Sequence, residues 1–114
     1  MIKEVKQIIE NNICNSYTMD NFMTDLMTGG CVSGMVDGLI YYSETIPFYH
    51  RYKVEIGELL RDLIQETGCQ PAELLVGWDD DDPLALDTSN QNLLAWFGFE
   101  ETCRAIADEN GISY

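Results

Sequence analysis

Basic side chains are scarce in this chain: 6 lysines and arginines stand against 20 aspartates and glutamates, a net charge of -14 on 114 residues, with a single histidine, His50. A surface this negative repels nucleic acid and anionic lipid and draws cationic surfaces toward it, so direct binding of DNA, RNA or a membrane is not expected. Long apolar runs are also missing. No stretch approaches the ~18 residues a spanning helix needs, and the opening Met1-Ile2-Lys3-Glu4-Val5-Lys6 lacks the apolar stretch and cleavage site of a secretory signal, so a cytoplasmic protein is expected. The cysteines at 14, 31, 69 and 103 include no CxxC pair, whereas structural zinc sites usually draw ligands in close pairs, so reduced thiols are expected.

Other absences exclude chemistries. The glycines at 29, 30, 34 and 38 resemble a phosphate cradle in number only, because no lysine or arginine lies among them and Asp37 would repel the anion. The run Asp79-Asp80-Asp81-Asp82 fails as a calcium loop: counted from Asp79, the required glycine falls on Leu84 and the closing glutamate on Asn90. No activating base or third group accompanies His50, which sits among Phe48, Tyr49 and Tyr52 and reads as a packing or surface residue. Neither an enzyme nor a metal or cofactor site is expected.

What is present is a core. Hydrophobic residues make up 46% of the chain and twelve are aromatic (Trp 2, Tyr 6, Phe 4), enough for one compact domain over residues 1–114 without a metal or disulfide staple. The periodicity is helical almost throughout, predicting a mostly α, single-domain bundle of about four main helices. Residues 2–13 place Ile2, Val5, Ile9 and Ile13 on one face with Ile8 beside them. Ser16 or Thr18 can cap a second helix that buries Met19, Phe22, Met23, Leu26 and Met27 and stops at Gly29-Gly30. Residues 34–42 read as a short extra helix, or alternatively a brief strand. A long helix is expected from about Glu44 or Pro47, with proline in the first turn, to Thr67, striped by Tyr52, Ile56, Leu59, Leu60, Leu63 and Ile64. Pro71–Val76 reads as one or two turns, and residues 77–89 as an acidic loop. The last helix has capping-box spacing at Thr88 and Gln91 and carries Leu93, Trp96, Phe99, Cys103 and Ile106 on one side, with Leu94 and Phe97 widening it, until Gly111.

The charge is lopsided. Residues 1–68 hold 10 acidic and 5 basic side chains, net -5, while residues 69–114 hold 10 acidic and 1 basic, net -9. Should the acidic loop lie beside the last helix, Asp79, Asp80, Asp81, Asp82, Asp87, Glu100, Glu101 and Asp108 would form one partner-binding patch that imitates the phosphates of a nucleic acid before a basic groove. The expected partner is then a basic nucleic-acid-binding protein or nucleoprotein complex. The alternative is a helical interaction or scaffolding module, homodimeric in one form, acting through an apolar surface of Met23, Met27, Tyr41, Tyr42 or Phe48, with the charge serving solubility.

Two strings carry a resemblance. Gly30-Cys31-Val32-Ser33-Gly34-Met35-Val36-Asp37-Gly38-Leu39-Ile40-Tyr41-Tyr42 and Asn92-Leu93-Leu94-Ala95-Trp96-Phe97-Gly98-Phe99-Glu100-Glu101-Thr102 are similar to the two signature segments of a family of small proteins carried by phages, plasmids and other mobile elements. The resemblance extends over most of the chain and brings no catalytic residues. The acidic loop from Gly77 to Ser89 departs from it, standing where a shorter linker is expected. Small acidic proteins of mobile elements are often inhibitors of host defence, so the resemblance implies an anti-CRISPR or anti-restriction protein at work in the host cytoplasm.

Overall fold

The computed structural model describes residues 1–12, 20–24, 36, 39–40, 42–75, 77–82 and 86–113. The protein is mostly α-helical, with no strand among the described residues. Its helices are α1 (Ile2–Asn12), α2 (Tyr42–Thr67), the single turn α3 (Pro71–Leu74) and α4 (Thr88–Glu109). Residues 20–24 are helical as well. The chain divides into two compact units, one of Met1–Tyr42 with Phe99–Tyr114, the other of Ser43–Gly98.

In the first unit, α1 follows its periodicity: Val5, Ile8 and Ile9 are buried while Lys3, Gln7 and Glu10 face solvent. Phe22 is buried and Met23 half-buried, in keeping with the second expected helix. Within 34–42, Val36 and Leu39 are helical and the Ile40 N–H donates to the Val36 carbonyl at 3.4 Å, the four-residue spacing of a helix and not of a strand. The second half of α4 buries Phe99, Cys103, Ile106 and Ala107. Each large side chain so buried stabilises the fold by about 1.5–3 kcal/mol. Gly111 closes α4 at φ +67°, with Gly111 N–H donating to Asp108 (3.2 Å) and Ile112 N–H to Ala107 (2.9 Å), the paired bonds that glycine's left-handed conformation permits. The caps expected at Ser16 and Thr18, the stop at Gly29-Gly30, the glycines at 34 and 38, and Ile13, Met19, Leu26, Met27 and Tyr41 lie outside the described residues, as do Cys14 and Cys31.

The Ser43–Gly98 unit is built on α2, α3 and the first half of α4. Helix α2 begins at Tyr42, earlier than its sequence suggests, so Pro47 lies inside the helix and not in its first turn. Proline has no N–H to donate, which leaves one helical bond unmade. The helix bends further on at Tyr52 (φ -114°, ψ 16°), whose ring meets that of Phe48 with centroids 5.2 Å apart. Gly68 at φ +73° ends α2, its N–H donating to the Ile64 carbonyl at 2.8 Å.

Helix α4 approaches α2 at Gly98. A β-carbon there would stand 2.6 Å from Ile56 Cγ1 and 2.9 Å from its Cδ1, with Phe48 Cε1 at 3.5 Å. Ile56 and Phe48 are both buried, so neither can swing into solvent to make room. Phe48, expected among surface residues of an interaction module, is only 1% exposed for this reason. Gly98→Ala should therefore destabilise the protein by about 1–3 kcal/mol, outweighing the ~1 kcal/mol that alanine gains over glycine within a helix. Adding Ile56→Ala deletes the atoms in conflict, so urea melts of the two single variants and the double variant should give a double that is more stable than the two losses summed. A neutral or stabilising Gly98→Ala would show that the contact does not constrain the unit.

Candidate functional site

Gly77, at φ +72°, turns the chain out of the Leu75 region and into the acidic run. The four aspartates do not form a slack loop. The Asp82 N–H donates to the Asp79 carbonyl at 3.2 Å, closing a turn, and the Asp81 N–H donates to Asp79 Oδ1 at 2.9 Å. The half-buried Trp78 donates its indole Nε1–H to Asp80 Oδ1 at 2.7 Å. These bonds to carboxylate oxygens offset part of the repulsion between neighbouring charges. All four side chains stay exposed, and those of Asp81 and Asp82 make no hydrogen bond or ion pair among the described residues.

Asp87 has a structural duty as well as a charge. Its Oδ1 accepts from the Asn90 N–H at 2.8 Å and its carbonyl from the Gln91 N–H at 3.0 Å, which makes it the cap of α4. The cap thus falls one residue before the Thr88 expected from the sequence, and the Gln91 side chain, expected to complete a capping box with Thr88, donates to the Leu86 carbonyl instead. An aspartate is the stronger cap here because its charge also complements the positive end of the helix dipole.

The remaining candidates belong to the other unit. Glu100 accepts from Arg104, one helical turn later, at 2.6 Å, and Glu101 lies 3.7 Å from the same guanidinium. One cation shared by two carboxylates leaves a single net charge on that stretch of helix. Asp108 is exposed. In the same unit, Lys3 and Lys6 border a wide, shallow depression with Glu10 and Glu109, and Lys6 stands 3.8 Å from Glu109. Two cations and two anions leave it no charge preference.

A feature absent from the sequence-based expectations is an apolar recess of about 140 Å³ in the Ser43–Gly98 unit. Leu60 and Leu63 of α2 form one wall, Leu74 and Leu75 another, and Leu93, Leu94 and Phe97 of α4 a third. Leu93, expected on the buried stripe of the last helix, is 42% exposed, because the core side of α4 is taken by Leu94, Ala95 and Phe99. Leu74 is 36% exposed. The signal in the sequence was the pairing of adjacent leucines, 74-75 and 93-94, of which only one member of each pair can face inward.

His50 is exposed and touches only the edge of the neighbouring Tyr49 ring among described aromatic contacts. Among the described residues, no group of three His, Cys, Asp or Glu side chains is placed to hold a metal ion. Cys103 is buried, and desolvation, with a smaller contribution from the charge of Glu100, pushes its thiol from an ordinary 9.0 up to about 12. The thiolate, which is the nucleophile, is therefore suppressed. At pH 8 a thiol reagent followed by mass spectrometry should modify the half-buried Cys69 and spare Cys103 until urea unfolds the chain. Since the folded state holds a proton that the unfolded chain releases above pH 9, the stabilising contribution of Cys103 is complete below that pH and is lost as pH climbs toward 12. Cys103→Ala should remove that part of the alkaline loss; equal alkaline sensitivity would disprove the assignment.

Neither the curated proteins nor the solved structures yield a match to the chain. A family model described as Domain of unknown function (DUF7222) matches residues 3–112. That span takes in α1 from its second residue through α4, the acidic turn, the apolar recess and both of the distinctive strings at residues 30–42 and 92–102. The chain belongs to the DUF7222 family.

Proposed function

We propose that this protein inhibits a nucleic-acid-binding defence complex of a host cell, in the manner of the anti-CRISPR and anti-restriction proteins carried by phages and other mobile elements. It works without catalysis, in the host cytoplasm, by presenting carboxylates to a basic groove that otherwise receives DNA or RNA. The observation that carries this reading is the acidic turn: Asp79–Asp82 are held exposed by bonds to Asp81 N–H and Trp78 Nε1–H. The segment 69–98 around them contains six acidic side chains and no lysine or arginine. Lysine and arginine side chains that bind phosphate accept carboxylate by the same charge-assisted hydrogen bonds. Asp79–Asp82 make the principal contact. Asp87 adds its charge while capping α4; Glu100, Glu101 and Asp108 belong to the other unit, where Arg104 already engages the two glutamates.

A second reading, a helical interaction module whose charge serves solubility, is favoured by one observation, the partly open leucine-lined recess. Its binding would survive high salt. Carboxylate contacts at an exposed surface, in contrast, weaken as the Debye length shrinks from about 10 Å at 0.1 M to about 3 Å at 1 M salt.

The test uses Asp79→Asn, Asp80→Asn, Asp81→Asn and Asp82→Asn together. Asparagine keeps the side-chain oxygen that accepts from Asp81 N–H and Trp78 Nε1–H, so the turn and the melting curve should be preserved while four charges vanish. Phage plaquing is then scored on hosts armed with individual CRISPR or restriction systems, with either chain expressed. The parent should restore plaquing against at least one system and the neutralised chain should lose most of that effect. Equal protection by both chains, or none by the parent against any system, refutes the proposal.

A further inference from the structure

We infer that the apolar recess of the Ser43–Gly98 unit is a docking groove for one amphipathic helix of a cationic protein partner. At about 140 Å³ the recess is well below the ~300–1,000 Å³ of a small-molecule site, and suits one or two apolar side chains delivered on a partner's backbone. Leu74 and Leu93 line it and are, with Val54, the large hydrophobic side chains most open to solvent among the described residues.

One wall is lightly held. Helix α3 has no buried residue of its own; it is tied down by Leu75 behind it and by the reciprocal bond in which Glu73 Oε2 accepts from the Gln70 N–H at 2.7 Å. Glycines with positive φ, Gly68 at +73° and Gly77 at +72°, stand on either side of this segment. A small shift of α3 therefore admits a larger side chain without disturbing Phe48, Ile56 or Gly98. Fully packed helices offer no such compliance.

Charge decides the occupant. The Ser43–Gly98 unit carries eleven acidic and three basic side chains, net -8. On the turns that supply the recess, Glu58, Asp62, Glu66 and Glu73 are exposed against Arg61 alone. A second copy of the chain would bring -14 against -14, so self-association at this groove is opposed. A helix with leucine or phenylalanine at i, i+4 and i+7 and lysine or arginine on its flanks satisfies both the recess and its surroundings. The inference rests on the preceding section only for a cationic partner, since the recess and its acidic surroundings stand on their own.

Fluorescence anisotropy with a labelled peptide of about four helical turns, with that pattern of leucines and lysines, tests the groove. A scrambled peptide of equal composition and charge is the control. The patterned peptide should bind the parent saturably, and Leu74→Gln or Leu93→Gln, at exposed positions that leave the melting curve unchanged, should weaken it roughly tenfold or more. Equal binding of the scrambled peptide, or indifference to both leucine variants, would reduce the effect to bulk attraction and overturn the inference. So would sedimentation showing a dimer that either leucine variant dissociates, because the occupant would then be a second copy. Loss of defence inhibition in the four-asparagine chain alongside intact peptide binding separates the two proposals, as does peptide binding without any rescue of plaquing.

Discussion

In the Ser43–Gly98 unit, α4 can lie against α2 only because residue 98 has no side chain. Ile56 fills the space a β-carbon would take, and Phe48 closes the other side. That contact sets which face of α4 turns inward: Leu94 and Ala95 are buried, and Leu93 is left on the outside. The recess follows from it, since Leu93 and Phe97 on α4 and Leu60 and Leu63 on α2 then line a space that Leu74 and Leu75 border further. Deeper in the same unit the buried Thr45 hydroxyl donates to Asn92 Oδ1, a polar link between α2 and α4 within an apolar setting. Such a bond costs more to break than it contributes to stability, so it favours one alignment of the helices over its neighbours.

The electrostatics obey a different rule. A net charge of -14 opposes compaction, and the fold answers it locally. Asp87 caps a helix, Glu73 satisfies the Gln70 N–H, Asp79 and Asp80 accept bonds within their own turn, and Arg104 engages two glutamates. Exposed pairs of the last kind are worth only about 0–1 kcal/mol each. Among the described residues the Asp81 and Asp82 side chains have no such duty, and the segment 69–98 around them has no lysine or arginine. The acid-to-base imbalance is thus partly structural and partly available to a partner, and the two shares fall on different residues.

Much of the helical layout was legible because burial along one face leaves a period in the chain. Val5, Ile8 and Ile9 in α1, Ile56 in α2, and Phe99, Cys103 and Ile106 in α4 lie where that period puts them. The glycine stops at 68 and 111 were readable for a local reason: a positive φ is far easier for glycine than for any other residue. The cap of α4 was misplaced by one residue, since Asp87 and Thr88 are both good caps and only the backbone path chooses between them. The site was less legible. Acidity announced the turn at Asp79–Asp82, and the four-residue spacing of Glu100 and Arg104 announced their pair, but the bonds that hold the turn and the second contact of the same guanidinium, to Glu101, depend on how the folded backbone aims those side chains.

By itself the sequence determined the helical class, the helix ends marked by glycine, the sign of the surface and the poverty of cations after residue 68, because each is a sum over local residues or a short-range period. Only the tertiary structure decided that Phe48 is core, that Leu74 and Leu93 are left open beside a recess, and that Gly98 is a contact and not a flaw in a helix. Those outcomes depend on which surfaces of α2, α3 and α4 meet. A helical period states that a face is apolar, but where adjacent leucines compete it does not say which one the neighbouring helix will cover.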